Sequence, residues 1–424
     1  MGLGKAYDFV VLGSGPSGRR SAIQAAKLGK KVLVVENRKP GGVSIHTGTI
    51  PSKTVRETVL NLTGFRERNF YSNVVYPAAE EDLYGRVKAT QEREVEVLKD
   101  QFARNNVELV SGSAKFLDPN IVEITREEGV RERVEAQKFV IAVGTNCYRP
   151  KELQFDGRFV CDSDQFLSLN HIPTSVVVIG AGVIGVEYAS ILNVLGREVT
   201  LVDPRENYLE FIDREIIAEF TSILRTRGVS FRLGRKLTDI ISASEDGVRI
   251  ALDNGEILKT GMVLYAAGRV GATSGLGLEN CGLSADSRGR ITVNRDTFQT
   301  KKTNIYAVGD VVGFPALAST SMAQGRIAAC HAFGEEIFKP SEFYPYGIYS
   351  VPEISTCGMS QTDAEKSGID FVVGSAKFSE TSRGQIMGMD CGFLKLIFSQ
   401  KKRELLGVHI IGEGASELIH IGQA

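Results

Sequence analysis

Tyr7-Asp-Phe-Val-Val-Leu-Gly13-Ser14-Gly15-Pro16-Ser-Gly18 decides the fold. An apolar run ends in a GxGxxG turn. A helix-compatible stretch follows over Arg19–Leu28, and a second apolar run, Lys31-Val-Leu-Val-Val-Glu36, closes on a carboxylate. In such a turn the first glycine permits the tight bend, the second lets a pyrophosphate approach the backbone, and the third packs helix against strand. The helix start offers free N–H groups and a positive dipole end to phosphates. An acid at the end of the second strand accepts hydrogen bonds from an adenosine ribose.

The design returns at Ser175-Val-Val-Val-Ile-Gly180-Ala-Gly182-Val183-Ile184-Gly185, followed by Val186–Leu195 and Arg197-Glu-Val-Thr-Leu-Val-Asp203. In both copies the acid stands 23 residues beyond the first glycine. A lone GxGxxG is a weak signal in a glycine-rich chain. Two copies framed alike predict that one chain binds two dinucleotides.

Composition agrees. The 424 residues suit about three domains, or two large ones. With 50 Lys and Arg against 51 Asp and Glu, the chain lacks the basic excess of a nucleic-acid binder. Its 45 glycines come with only 12 prolines, which indicates tight turns rather than linkers. Met1–Asp8 reaches a charge before any signal-peptide core can form, and the most apolar stretch, Val176–Val186, stops at Glu187, too short for a membrane span. The six cysteines form no CxxC pair, and the five histidines show no metal spacing. The expectation is a reduced, cytoplasmic, metal-free protein without nucleic-acid or membrane partners.

Between and after the two units the texture changes. Glu80–Asn105 is charged with helical periodicity and predicts one or two exposed helices. Val107–Thr125 alternates like short strands, and Phe231–Leu258 alternates around the hairpin signal Asp253-Asn-Gly-Glu256. Three buried strands end at glycine turns: Lys138–Thr145 with Gly144, Val263–Arg269 with Gly268, and Asn304–Asp310. A small-residue helix is predicted near Ala318–Phe333, and alternating strands from about Ser341.

With these residues assembled, the chain resembles the two-dinucleotide flavoprotein disulfide reductases over its whole length. The marks are Gly13–Gly18, Gly48-Thr49-Ile-Pro-Ser-Lys53, Gly180–Gly185, Ala267-Gly268-Arg269 and Thr303-Asn-Ile-Tyr-Ala-Val-Gly-Asp310. The resemblance implies an α/β protein with two Rossmann-like domains and a C-terminal α/β interface domain. Expected boundaries are 1–150 (FAD, first part), 151–271 (NAD(P)), 272–340 (FAD, second part) and 341–424 (dimerisation). It implies FAD on the first unit, with Gly13, Ser14, Gly15, Pro16, Gly18, Glu36 and Asn37 at its nucleotide end. Gly42, Ser44, Thr49, Lys53, Ala114, Gly144, Thr145, Asp310, Ala316, Leu317 and Ala318 are further candidates for the FAD, Asp310 at its ribityl chain. NAD(H) or NADP(H) is implied on the second unit, at Gly180, Gly182, Val183, Ile184, Gly185, Asp203, Arg205, Gly268 and Arg269. A homodimer or higher homo-oligomer is implied as well.

One departure sets the activity. Disulfide reductases carry two cysteines five apart before the Pro-Ser-Lys turn, where this chain has Ser44 and Thr49. A hydroxyl cannot cycle between thiol and disulfide. The segment Gly48–Glu57 is similar instead to the soluble pyridine nucleotide transhydrogenases, as are Val59–Gly64, Gly313–Arg326 and Gly347–Glu353. That similarity implies hydride transfer from NADPH to NAD⁺ through FAD. It places Lys53 near flavin N5 and pairs it with Glu187, whose apolar neighbours Val183, Ile184, Val186 and Tyr188 favour an inward position. Asp203 suits an NAD ribose and Arg205 a 2′-phosphate. His46 reads as a hydrogen-bonding or core histidine. The alternatives are a reductase that passes electrons to a quinone, oxygen or a carrier protein, and a catalytically idle flavoprotein. The end of the chain, Gly414–Ala424, reads as the opening of a helix capped by Ser416, with Leu418 and Ile419 beginning its apolar face. Against the family's usual length, the interface domain looks truncated.

Overall fold

The computed structural model describes residues 6–68, 70, 80–169, 171–337 and 343–424. Met1–Lys5 and the expected boundary at 340/341 lie outside the described residues. The chain divides into two compact units. The first comprises Met1–Ser52, Val87–Cys147 and Arg269–Pro340, and the second Lys53–Arg86, Tyr148–Gly268 and Ser341–Ala424.

The first unit is built on a seven-stranded sheet. Ala6–Leu12 lies parallel between Val32–Glu36 and the long strand Arg131–Ile141, and Glu108–Ser111 and Ile305–Ala307 extend the parallel part. Ile121–Thr125 and Ser113–Asp118 continue it antiparallel from the first half of Arg131–Ile141. Strands of alternate sequence thus face solvent on one side, while the continuous runs Phe9–Leu12 and Val32–Val35 are buried on both faces, as a parallel sheet requires. Leu12 pairs with Val35 and with Ile141, so these strands end level. Their carboxyl edge therefore brings Gly13, Glu36, Gly144 and Asp310 to one end of the sheet, the usual ligand position in such folds. Helix Pro16–Lys27 packs on helix Ala318–Ala332. A Cβ on Gly325 would stand 2.2 Å from the Ser17 carbonyl oxygen, so the two helices meet backbone to backbone.

In the second unit, five parallel strands follow the order Ser230–Leu233, Glu198–Asp203, Ser175–Ile179, Met262–Tyr265, Val160–Asp162. Their helices Val183–Val194 and Arg214–Thr226 bury Val186, Leu192, Ile216 and Phe220 in one apolar cluster. An antiparallel sheet of Leu237–Ser244, Gly247–Leu252 and Ile257–Thr260 turns at Asp253–Glu256, where the hairpin was predicted. A separate five-stranded antiparallel sheet spans Tyr346–Ile411, and helix Ala415–Gln423 packs on it.

Two local readings differ from expectation. Glu80–Arg104 is a single helix, and Leu98 and Phe102, one turn apart, are buried, so its last turns are not an exposed face. The terminal helix is entered at Gly414 in the left-handed conformation, and Ser416 lies within it, donating its amide to Glu353. Ile419 is buried there while Leu418 is half-exposed.

Candidate active site

Both GxGxxG turns have the geometry their glycines were expected to allow. Gly13 (φ +103°) and Gly180 (φ +105°) adopt conformations that side chains avoid, and a Cβ on either would meet the carbonyl of Ala142 or Ala266 within 2.7 Å. A Cβ on Gly18 or Gly185 would stand 1.9 or 1.7 Å from the carbonyl of the first glycine. Both following helices are entered from glycine, Gly15 and Gly182, with no side-chain cap and no acid in the first turn. Their first amides are thus left for an anionic ligand. Pro16 starts the first helix where its missing N–H costs no bond.

In the first unit, Glu36 is 4% exposed and accepts from the Ser14 amide (2.9 Å), the Ser14 hydroxyl (2.6 Å) and the Arg38 amide (3.0 Å). The Ser14 hydroxyl also accepts from the Gly41 amide at 2.8 Å, which ties the Pro40–Gly42 turn to the fingerprint. A Cβ on Gly42 would lie 3.4 Å from the Gly15 Cα, so two glycine backbones face each other there. Asp310 is the second residue of the short 3₁₀ turn Gly309–Val312, and the Gly309 amide donates to Gln324 Oε1 at 2.7 Å. Burial raises the Asp310 carboxyl above its ordinary range, against the opposing pull of Arg269 and a Ser321 hydrogen bond. Arg269 donates to the Thr145 hydroxyl (2.9 Å) and carbonyl (3.0 Å) across the two-stranded ribbon Thr145–Cys147/Arg269–Gly271. A buried acid, glycine-only turns and uncapped amides fit a flavin dinucleotide. Ser44 lies in the one-turn helix Gly42–His46, Thr49 begins helix Thr49–Leu62, and Leu317 caps Ala318–Ala332. His46 is tied to the Pro40 carbonyl at 2.9 Å, a hydrogen-bonding place as expected. Asn37 is exposed, and Ala114 lies on the strand Ser113–Asp118.

The second unit brings Lys53 and Glu187 together from residues 134 apart. The Lys53 ammonium stands 2.9 Å from both Glu187 oxygens, and the Tyr349 amide donates to Glu187 Oε1 at 2.8 Å. The same ammonium lies 4.9 Å from the centre of the Tyr349 ring. One turn along the glutamate's helix, Ser190 accepts from the Val351 amide at 3.0 Å, so Tyr349–Val351 is anchored to helix Val183–Val194 at two points. Arg56 supports the same segment through the Ser350 carbonyl (3.1 Å) and Glu353 (3.0 Å). Sequence reasoning assigned no role to Tyr349, Ser190 or Arg56. The quoted similarity of Gly347–Glu353 was the available signal, but a main-chain donor has no residue type to reveal it.

Asp203 ends its strand 2% exposed and accepts from the Ala181 amide (2.6 Å). Arg205 donates to it three times: from its amide (2.9 Å), from Nε to Oδ1 (2.8 Å) and from Nη2 to Oδ2 (2.8 Å). Burial pushes the Asp203 carboxyl up, but the Arg205 side chain and the Arg205 and Ala181 amides outweigh it, and the net shift is downward. All six cysteines are free thiols, and none stands at position 44 or 49.

Two nucleotide-binding sheets, each presenting a glycine turn, an uncapped helix and a strand-end acid, define a flavin- and pyridine-nucleotide-dependent oxidoreductase. Residues 7–325 match the pyridine nucleotide-disulphide oxidoreductase family, and residues 344–424 its dimerisation domain. The chain belongs to this family. It is 46% identical over 427 residues to the soluble pyridine nucleotide transhydrogenases of Mycobacterium bovis BCG and Mycobacterium tuberculosis H37Ra, covering 99% of this chain and 90% of theirs. The transhydrogenase of a Marinomonas species is 40% identical over 421 residues, with the same coverage. Among solved structures, LpdA of M. tuberculosis superposes with a TM-score of 0.90 at 25% identity, covering 98% of this chain and 92% of that one. The HOCl-induced flavoprotein disulfide reductase RclA of Escherichia coli, as its Cu(II) complex, gives 0.89 at 27% identity, covering 99% and 92%. The fold is thus shared with disulfide reductases. Among the described residues, no helix is long and apolar enough to cross a membrane.

Proposed function

We propose that the chain transfers hydride between NADPH and NAD⁺ through bound FAD, giving NADP⁺ and NADH, in a ping-pong cycle without a protein thiol. The observation that carries this reading is the Lys53–Glu187 pair in a chain whose sequence has Ser44 and Thr49 at the positions of a dithiol. The 46% identity to transhydrogenases supports it. Bound FAD supplies the two-electron carrier between the nicotinamides.

The chain's own residues hold and polarise. Gly13–Gly18 and the first amides of Pro16–Lys27 take the FAD pyrophosphate, Glu36 its adenosine ribose, and Asp310 its ribityl chain. Gly180–Gly185 and Asp203 take the nicotinamide nucleotide. Lys53 presents a cation where negative charge develops on reduction, and Glu187, itself fixed by the Tyr349 amide, keeps that cation in place. In this reading 1–150 and 272–340 bind FAD, 151–271 binds NAD(P)(H), and 341–424 joins the chain to a second copy as a homodimer. Six free cysteines suit a reducing cytoplasm.

The test mixes FAD-loaded protein, NADPH and a thionicotinamide analogue of NAD⁺ whose reduced form absorbs at its own wavelength. Reduction of the analogue at a rate matching flavin reoxidation is expected. Flavin bleaching by NADPH with no analogue reduced would overturn the proposal, leaving a quinone, oxygen or carrier protein as acceptor.

A further inference from the structure

Away from both glycine fingerprints, the second unit has a pocket open to solvent. Arg56 and Leu60, the Phe65–Arg68 stretch, Arg227 at the end of helix Arg214–Thr226 and the Met387–Cys391 turn line it. Val351 and Pro352, the continuation of the segment that holds Glu187, line it as well. Four of the lining residues are arginines, and two of these are spent. Arg56 donates to the Ser350 carbonyl and pairs with Glu57 and Glu353. Arg66 pairs with Glu57 and Glu413 and donates to the Asn61 side chain. Arg227 is different. Its Nη1 donates to the Val351 carbonyl at 2.8 Å, and it forms no ion pair among the described residues. A guanidinium has five N–H donors, so most of this fork has no acceptor among them.

The Phe65 ring carries two cations at once. The Arg68 guanidinium lies 3.8 Å from its centre and the Arg227 guanidinium 4.8 Å. Burial, and then the Arg68 charge, lower the Arg227 pKa from its ordinary value, with Cys391 and Asp390 opposing. Arg68 reaches Asp390 at 3.3 Å, an exposed contact of a kind worth little in water. Two like charges thus share one aromatic ring, with a single weakly held acid beside them. The pocket they border holds about 50 Å³. One water takes about 10–15 Å³ of such space. The room therefore suits an oxyanion of about five heavy atoms rather than a whole nucleotide.

We propose that this pocket binds a phosphate group, held by the open fork of Arg227 and by Arg68. A guanidinium meets phosphate oxygens bidentately, and a dianion offsets the repulsion between the two cations. The Phe65 ring keeps both guanidinium groups in place for it through cation–π contact. Arg68 exchanges its long contact with Asp390 for the phosphate, and Asp390 is the charge that opposes binding. Because the pocket opens to solvent, an esterified group can remain outside. Inorganic phosphate and the end of a phosphate monoester therefore present the same chemistry to it.

The test is calorimetric titration of the FAD-loaded protein with inorganic phosphate at constant ionic strength, with NADP⁺ saturating so that the nucleotide seats are filled. Saturable binding of one phosphate per chain is expected. Arg227→Gln should weaken it at least about tenfold, as loss of a charge-assisted bond does, and Arg227→Lys should weaken it less. Arg68→Gln should weaken it several-fold, and Asp390→Asn should strengthen it. Arg225→Gln removes an equal charge from the same helix outside the pocket and should leave binding unchanged. Flavin content and melting temperature check the fold of each variant. Arg68 is exposed, so Arg68→Gln decides the matter if Arg227→Gln fails to fold. Glycerol 2-phosphate separates the two sources: binding as tight as phosphate or tighter assigns the pocket to a monoester, weaker binding to free phosphate. No saturable binding by the wild type, unchanged affinity in Arg227→Gln and Arg68→Gln, or an equal loss in Arg225→Gln would overturn the proposal.

Discussion

Both oxygens of Glu187 lie within 2.9 Å of one ammonium, and the carboxylate side chain is 6% exposed against 25% for its lysine. Lys53→Met would leave that nearly buried charge with the Tyr349 amide as its partner. The expected loss is about 1–3 kcal/mol of stability, read as a lower urea midpoint. Flavin bleaching by NADPH should slow by at least about tenfold, as removal of a charge-stabilising group does; an unchanged stopped-flow rate would contradict the role given to Lys53. Glu36→Ala acts differently, because it strips the Ser14 amide and hydroxyl of their acceptor as well as removing the partner proposed for the ribose. A roughly ten- to hundredfold weaker hold on FAD is expected from a lost charge-assisted bond, measured as flavin released on dilution. At this scale the sequence was informative wherever a side chain does the work. The apolar neighbours of Glu187 indicated its inward position, and the two-residue spacing of Asp203 and Arg205 was visible. That Arg205 closes on Asp203 was not, since a spacing does not say whether two charges meet each other or a ligand.

Helix Pro16–Lys27 touches helix Ala318–Ala332 through Gly325, with no room for a methyl group beside the Ser17 carbonyl. Gly325→Ala should push the pair apart at a cost of at least about 2 kcal/mol and lower flavin retention with it; a melting temperature equal to wild type would rule this out. In the antiparallel sheet, Thr356, His409 and Lys395 stand in one row across three strands. His409 is buried, its Nε2 against the Met359 carbonyl at 2.9 Å and its Nδ1 2.6 Å from the Thr356 hydroxyl. Burial lowers its pKa below the ordinary value, with Lys395 acting in the same direction and the Met359 carbonyl, Asp213 and Asp363 opposing. Because the folded value is the lower one, the neutral ring's contribution is present above the ordinary histidine range. It is lost as pH falls through the folded value. Asp213 is also held below its ordinary value, so its contribution disappears only in the more acidic carboxylate range. His409→Gln should therefore flatten the decline in stability just below about pH 6.5 and leave the steeper acid limb in place. Local elements were readable in the sequence, the Asp253–Glu256 hairpin among them, because turn residues and alternation act over short distances. The pairing of Ile305–Ala307 with Arg131–Ile141 was not, since nothing in either strand names a partner more than 160 residues away.

At the scale of the whole molecule, five of the six thiols are poor nucleophiles. Burial pushes Cys281 and Cys391 up to about 11 and raises Cys161, Cys330 and Cys357 as well. Prolonged alkylation at neutral pH should leave nucleotide-to-nucleotide hydride transfer largely intact, and turnover with dihydrolipoamide or oxidised glutathione should be undetectable. Loss of transfer in step with modification of one cysteine would point to a thiol step after all. The broad architecture was legible because the fingerprint occurs twice with equal spacing, and the resemblance implied a first domain in two parts, 1–150 and 272–340; the interleaving of a third segment, with Lys53–Arg86 given to the second unit, was not, since it depends on which distant elements pack together. That interleaving has a consequence for biosynthesis. All five strands of the second parallel sheet lie within Tyr148–Gly268, a continuous stretch. The first unit needs Ile305–Ala307 and helix Ala318–Ala332 to complete its core around Ala6–Leu12. On the ribosome, the segment that emerges first must wait for chain made some 300 residues later, while the inserted sheet can close as soon as its last strand is out. Pulse-labelled hydrogen exchange during refolding should find amides of Ser175–Asp203 protected before those of Ala6–Glu36. The start of the message thus encodes a sheet that is finished after the one inserted into it.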